Sequence, residues 1–239
     1  SEASQMRVRV PKKALSWRKF LRRVVNALVD LRVEGEEYIP EQGACLVATS
    51  HISRLDTPFL MFATTRDDTI GMVAEDYQRF PLFKWILDGI KVIWVKRGEY
   101  DFEAFREAVD YLRKGWLVGI APEGTRSPEG VLLEGKPGAA LLAERAKVKV
   151  LPASVSGSTA MLSRWFKLRK MQVLVRFGEP FSLPAQDQEE DKKNWLRRAT
   201  DEVMARIAVL LPAERRGAYT AHPRVNDLAE EQKAKEAQG

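Results

Sequence analysis

From residue 44 onward the chain repeats one pattern: a short apolar run rich in β-branched residues, then a stretch whose apolar residues recur at helical spacing. The runs are CLVAT (45–49), TIGMVA (69–74), KVIWV (91–95), WLVGIA (116–121), VKVLPASV (148–155) and QVLVRF (172–177). Between them PFLMFATT, PLFKWIL, DFEAFREAVDYLRK and PGAALLAERA read as helices, the third with Phe102, Phe105, Val109 and Leu112 along it. Parallel strands cannot be joined by a tight hairpin and need a crossover, usually a helix. The alternation therefore predicts an α/β fold, a single domain with a largely parallel mixed sheet flanked by helices. A hydrophobic content of 45% over 239 residues is enough for one such core. Ligands of these sheets gather at the loops leaving the strand ends.

Both ends of the chain depart from that rhythm. Residues 1–32 hold nine basic and two acidic side chains, so the formal charge of +6 resides in this segment and the remainder is near neutral. Within it Trp17, Leu21, Val24, Leu28 and Leu31, with Phe20 and Val25 beside them, follow helical period. An N-terminal amphipathic helix with basic flanks suits an anionic membrane surface, and residues 1–32 are read as a membrane-associating arm. An ordinary helix packed on the core has the same pattern. Nucleic acid is not an expected partner, because no basic-aromatic platform or nucleic-acid motif follows. The stretch STAMLSRWFKLRK (158–170) offers a second basic and aromatic contact, or a half-buried loop with snorkelling bases. The domain proper is read as 33–212, closed by a helix over 192–211 that stops at Pro212. Residues 213–239 are polar and read as a flexible tail, with His222 solvated in it. The lone cysteine, Cys45, permits no disulfide within the chain, and no run of 18 apolar residues exists to span a bilayer. A peripheral (monotopic) location on the cytoplasmic face of a membrane is expected.

The chemistry concentrates in SHISRLD, Ser50 to Asp56, right after the CLVAT run. On one continuous helix His51 and Asp56, five positions apart, would be separated by roughly 140° around the axis. If ISRL is a tight turn between strand and helix, the carboxylate folds back to the imidazole. Asp56 precedes Thr57 and Pro58 and is expected to cap the helix that starts there. Such a pair can take a proton from an attacking hydroxyl, the carboxylate orienting the ring and stabilising its cation. The nucleophile can be the substrate's own hydroxyl, since no Gly-x-Ser-x-Gly elbow is present. One His and one Asp are too few ligands for a metal, and none is expected. Taken alone the pair suits a structural role at least as well.

Three later segments alter that balance. APEGTRSPEG (121–130) places Glu123, Gly124 and Arg126 at a strand exit, VIWVKRGEYD ends a strand in Lys96 and Arg97, and LEGKPGAALL sets Lys136 and Gly138 at the opening of a helix. A helix N-terminus beside a lysine attracts phosphate. Each segment is also readable as a solvated element end; together they supply cations for an anionic substrate.

The order SHISRLD, VIWVKR, PEGTRS, then KPG and LPASVSG resembles the four blocks of the glycerolipid acyltransferase superfamily, typified by 1-acylglycerol-3-phosphate acyltransferases, over about residues 33 to 180. The resemblance implies that His51 is the general base on the acceptor hydroxyl and Asp56 its orienting partner. It implies that Arg97, Glu123, Gly124, Thr125 and Arg126 bind the acceptor's glycerol phosphate, with Lys136 near the same phosphate. The donor would be a fatty acyl thioester, acyl-CoA or acyl-ACP, with no cofactor and no metal, and the product phosphatidic acid. Another lysophospholipid or glycolipid acceptor, or a catalytically silent lipid-binding protein on the membrane surface, remains open. The sequence departs from the family's usual residues at Ser50 (Asn), at Ala121 (Phe) and at Trp94-Val95-Lys96 (Phe-Ile-Asp), which bears on the acceptor and the acyl chain.

Overall fold

The computed structural model describes residues 12–96, 100–157 and 170–237. Seven strands form one sheet: β1 Val29–Glu34, β2 Cys45–Thr49, β3 Thr69–Ala74, β4 Val92–Val95, β5 Leu117–Ile120, β6 Val150–Ser156 and β7 Met171–Phe177. Their order is β1-β7-β6-β2-β5-β3-β4, parallel throughout except where β6 meets β7. The helices are α1 Lys12–Leu28, α2 Asp56–Ala63, α3 Pro81–Ile90, α4 Phe102–Arg113, α5 Gly138–Ala146, α6 Lys192–Val209 and α7 Pro223–Glu236.

The sheet divides the core in two. β2 lies between β5 and β6, so every residue of CLVAT is buried and the strand reads as a continuous apolar run. Its side chains nevertheless alternate between faces: Leu46 and Ala48 pack with α4, α5 and α6, while Cys45 and Val47 pack with Phe59, Leu60 and Ala63 of α2. Burial pushes the Cys45 thiol up to about 11, which keeps it a neutral packing group. Asp101 caps α4 by accepting the Ala104 N–H at 3.0 Å, and Asp191 caps α6 by accepting that of Asn194 at 2.9 Å. The parallel strands β2, β3, β4, β5 and β6 all end on the same side of the sheet, and SHISRLD and APEGTRSPEG lie in the loops that leave β2 and β5 there, whereas LPASVSG is largely strand β6.

Two expectations about the ends require correction. Of the segment 1–32, residues 12–32 are not an arm separate from the domain, and residues 1–11 lie outside the described residues. The helix ends at Leu28, and Leu31, expected on its stripe, belongs to β1, which pairs in parallel with β7. The helix itself is docked: Trp17, Leu21 and Val25 face a cluster with Tyr77, Leu87 and Ile90. The Arg18 guanidinium donates to the carbonyls of Thr69 at 2.6 Å and Ile90 at 2.7 Å, and Arg22 to that of Thr64 at 2.6 Å. These basic residues serve the fold by pairing carbonyls of buried residues.

Residues 213–237 are likewise not a loose tail. After two short 3-10 turns, α7 packs on α6, burying Tyr219, Val225 and Leu228 in the main core. Arg224 bridges Glu202 of α6 and Glu231 at 2.7 and 2.9 Å. His222, expected to be solvated, is half-buried with its ring 5.5 Å from that of Tyr219. The segment 158–170, apart from its last residue, lies outside the described residues.

Candidate active site

β2 and β5 are neighbours in parallel register, Ala48 beside Ile120, so the loops that leave them emerge side by side. The first contains His51. Of the two conformations the sequence left open it takes the tight turn: the Asp56 N–H donates to the Ser53 carbonyl at 3.3 Å, and Asp56 Oδ2 accepts the N–H groups of Ile52 and Ser53 at 2.7 and 2.6 Å. Turned back in this way, Oδ2 stands 3.9 Å from His51 Nδ1. Asp56 is fully buried and His51 half-buried. Asp56 is not the helix cap it was expected to be. Leu55 holds that position and Asp56 is the first helical residue, its carboxylate serving the turn behind it instead of the helix ahead. Pro58 removes one of the unpaired donors of that first turn.

The second loop turns on Gly124, at φ +65, whose N–H donates to the Ala121 carbonyl at 3.0 Å. That turn sends the Glu123 side chain inward. Oε1 accepts the His51 N–H at 2.6 Å and Oε2 accepts the Leu133 N–H at 2.9 Å, while Ser127 donates its N–H to the His51 carbonyl at 2.9 Å. The peptide groups on both sides of the His51 Cα are thus held by the loop after β5. Burial, with a smaller contribution from the Asp56 charge, pushes Glu123 up to about 7 against the pull of its two backbone donors.

A third loop, 130–137, brings Lys136. It is held on one side by Glu123 and by the Lys136 N–H, which donates to the Pro122 carbonyl at 2.8 Å. On the other side stands the segment that had read as a tail. Leu132 donates to the Arg215 carbonyl at 2.9 Å and accepts from Ala218 at 3.1 Å, Arg215 Nη1 donates to the Gly130 carbonyl at 3.1 Å, and the Gly135 N–H donates to the Tyr219 hydroxyl at 3.2 Å. Burial pushes that hydroxyl up to about 12, so it stays a neutral acceptor. Gly217, at φ +48, makes the approach possible, since a Cβ there would lie 2.1 Å from the Leu132 carbonyl oxygen.

Above these loops lies a cleft of about 370 Å³. His51, Gly124, Thr125 and Lys136 line it, so four of the predicted site residues meet. Its walls are largely apolar and include Met72, Leu87, Val95, Phe105 and Leu142. Lys136 crosses close to Gly124, where a Cβ would stand 3.0 Å from its Cδ. Glu123, expected to contact the acceptor, is instead buried beneath the loops with both oxygens on backbone donors. Arg126 does not line the cleft but an adjoining hollow. Arg97 lies outside the described residues. Arg54, inside the His51 turn, and Tyr219 were not singled out from the sequence; a basic residue between His51 and Asp56 was the available signal for the first, and nothing local marks the second. Among the described residues no group of three or more His, Cys, Asp or Glu side chains is arranged to hold a metal ion. The arrangement combines a base, a buried carboxylate, nearby cations and an apolar cleft, which suits proton removal from a hydroxyl on an amphipathic, anionic substrate.

Comparison with known proteins sets the chain beside acyltransferases. A family model described as Acyltransferase matches residues 30–156. The 1-acyl-sn-glycerol-3-phosphate acyltransferase of Bacillus subtilis is 28% identical over 176 residues, covering 68% of this chain and 81% of that protein. Its counterpart from Pseudomonas aeruginosa is 32% identical over 143 residues, 57% of this chain and 54% of that protein. That from Borreliella burgdorferi is 27% identical over 129 residues, 53% of this chain and 51% of that protein. The match thus spans about half the length of the latter two relatives. Among solved structures, the 1-acyl-sn-glycerophosphate (LPA) acyltransferase PlsC from Thermotoga maritima superposes with a TM-score of 0.58 at 26% identity, covering 83% of this chain and 81% of that one.

Three outcomes follow from these contacts and from the burial of Glu123. Burial pushes the Glu123 carboxyl up from its ordinary 4.5 to about 7, so its contribution to stability is present below about 4.5 and is lost as pH rises through 7. Urea unfolding should lose roughly 2–3 kcal/mol between pH 5 and 8, and Glu123→Gln should flatten that slope; an unaltered slope in the variant would refute the assignment. Tyr219→Phe removes the acceptor of the Gly135 N–H and should cost about 1 kcal/mol, with faster amide exchange confined to 130–137. Gly217→Ala should speed exchange there further and lower stability by more.

Proposed function

The chain belongs to the acyltransferase family, and from that premise we propose that it moves a fatty acyl chain from an acyl thioester, on coenzyme A or acyl carrier protein, to the free hydroxyl of 1-acylglycerol-3-phosphate, giving phosphatidic acid. The observation that carries this reading is the approach of His51 and Asp56 to 3.9 Å on a largely apolar cleft that Lys136, Lys96 and Arg54 also line.

Asp56 sets a negative charge beside Nδ1, which favours the tautomer protonated there and leaves Nε2 as the base. At 3.9 Å the contact is longer than a hydrogen bond; such contacts tighten once substrate is bound. The acceptor hydroxyl gives its proton to Nε2 as its oxygen bonds to the thioester carbonyl carbon. The tetrahedral intermediate then collapses, the C–S bond breaks, and the imidazolium returns the proton to the departing thiolate. No acyl-enzyme is formed. Glu123 and Ser127 hold the His51 backbone, so the ring is aimed by groups that never touch the substrate. The apolar walls of the cleft take the hydrocarbon of donor or acceptor, and Lys136 and Lys96 offset the charge of the acceptor.

Among the described residues no helix is long and apolar enough to cross a membrane. Contact with lipid is assigned to α1, which has two apolar stripes. Trp17, Leu21 and Val25 are spent on the core, whereas Phe20 at 49% exposure, Val24 at 36% and Leu28 at 61% form a second stripe beside it. Trp85 of α3, 51% exposed, meets Trp17 edge-on at 4.3 Å and extends that ridge, which Lys19 and Arg23 flank. Large exposed apolar side chains bordered by bases suit the interface of an anionic leaflet.

Incubation with lysophosphatidate and a long-chain acyl thioester should release thiol and yield phosphatidate by mass spectrometry, and His51→Ala should lower the rate at least 100-fold. A variant that retains activity would remove His51 as the base. A panel of lysophospholipid and glycolipid acceptors separates the alternative substrates, and lipid binding without thiol release from any donor would identify a silent binding protein. Phe20→Ser with Leu28→Ser should weaken co-sedimentation with anionic vesicles several-fold without a change in melting temperature; unchanged co-sedimentation would exclude the ridge.

A further inference from the structure

The loop 130–137 runs between two walls that take its backbone groups in alternation. Leu133 and Lys136 give their N–H groups inward, to Glu123 at 2.9 Å and to the Pro122 carbonyl at 2.8 Å. Gly130, Leu132 and Gly135 turn outward, to Arg215, Ala218 and Tyr219. Residues 213–219 do not line the cleft, and they lie beyond the stretch 30–156 that the family model matches. Lys136 depends on both walls, because its own N–H is held from inside and that of Gly135, one residue earlier, from outside. Its ammonium makes no ion pair with a carboxylate among the described residues, so no counter-ion fixes where the charge stands. The side chain crosses Gly124, where a Cβ would lie 3.2 Å from Nζ, and its backbone therefore decides how far the ammonium reaches into the cleft. Tyr219 is buried, and the Asp201 carboxylate of α6 helps to keep its hydroxyl protonated, which leaves an oxygen lone pair for the Gly135 N–H.

We propose that Tyr219 is a positioning residue for Lys136, so that the segment 213–219 governs how the cleft handles an anionic acceptor without lining it. The inference rests on the role given above to Lys136 in offsetting the charge of the acceptor. A lysine is a point charge on a flexible four-carbon stem, and its place is only as defined as its backbone and packing. Without the Tyr219 hydroxyl the peptide between Gly135 and Lys136 keeps its inner bond alone. The ammonium then spreads over more of the cleft, and its attraction for a fixed anionic group weakens with distance. The anionic group of the acceptor takes no part in the bonds made or broken, so Lys136 serves bound acceptor and transition state alike. Its displacement is therefore read in KM and not in kcat.

The test combines Tyr219→Phe, which keeps the buried ring, with Lys136→Met in a double-mutant cycle, read by steady-state kinetics in mixed micelles. Tyr219→Phe should raise the KM for lysophosphatidate at least threefold, with kcat and the KM for the acyl thioester within twofold of wild type. In the Lys136→Met background the same change should leave the KM for lysophosphatidate unaltered, since the ammonium it would displace is gone. Val225→Ala, a cavity beneath α7, should lower the melting temperature and leave that KM unchanged, which separates position from stability. An equal rise in KM from Val225→Ala would overturn the assignment. Acetylation of Lys136 by acetic anhydride, followed by peptide mass spectrometry, reads the displacement without turnover. Its rate should rise at least twofold in Tyr219→Phe, with that of the exposed Lys19 unaltered; no change at Lys136 would also overturn the assignment. If the acetylation rate responds while wild type acylates no lipid, the positioning stands and the acyl transfer falls. If wild type acylates lysophosphatidate and Tyr219→Phe keeps its KM, or raises it equally in both backgrounds, the positioning falls and the reaction stands.

Discussion

A buried carboxylate joins the parts of this site. Glu123 accepts one backbone N–H from His51 and another from Leu133, tying the loop after β2 to the loop after β5 and to the loop that leads into α5. Neither backbone donor could be left unpaired so far from water without a cost comparable to a lost hydrogen bond. An acceptor with two oxygens is therefore needed where those loops converge. Glutamine would offer one oxygen and set its amide against a second donor. The cost of burying the charge appears in the raised pKa, and the benefit is a histidine whose backbone N–H and carbonyl are both hydrogen-bonded to the loop after β5.

Much of the fold could be read from the order of elements, because each strand-helix unit carries its own periodicity. The six apolar runs correspond to β2 through β7, and the helices between them appear as read. β1 was hidden because two patterns overlap. Leu28 and Leu31 continue the helical period, while Val29, Leu31 and Val33 alternate as a strand, and pairing with β7 decides between them. α7 was hidden for another reason. Among the described residues Val225 and Leu228 anchor it in the core, and the charges that join it to α6 are those that composition assigns to a solvated tail.

The site was legible where chemistry and spacing coincide, at His51 and Asp56, and less so where a residue acts on the backbone. Glu123 sits in a segment full of polar side chains, and nothing local says that it turns inward while Thr125 and Arg126 turn out. That division follows from Gly124, whose positive φ reverses the chain between them. The basic N-terminal segment shows a similar split. Arg18 and Arg22 bind carbonyls of the domain, while Lys19 and Arg23 remain exposed, so one run of charge has two physical roles.

The contact of Leu132 with Arg215 and Ala218, and of Gly135 with Tyr219, also orders events in time. A chain growing from its N-terminus carries His51, Asp56 and Glu123 long before residue 219 leaves the ribosome. Until then the loop bearing Leu133 and Lys136 lacks the backbone partners on its outer side. A nascent chain that already contains His51, Asp56 and Glu123 thus waits for residues 215–219 before the outer side of that loop is paired.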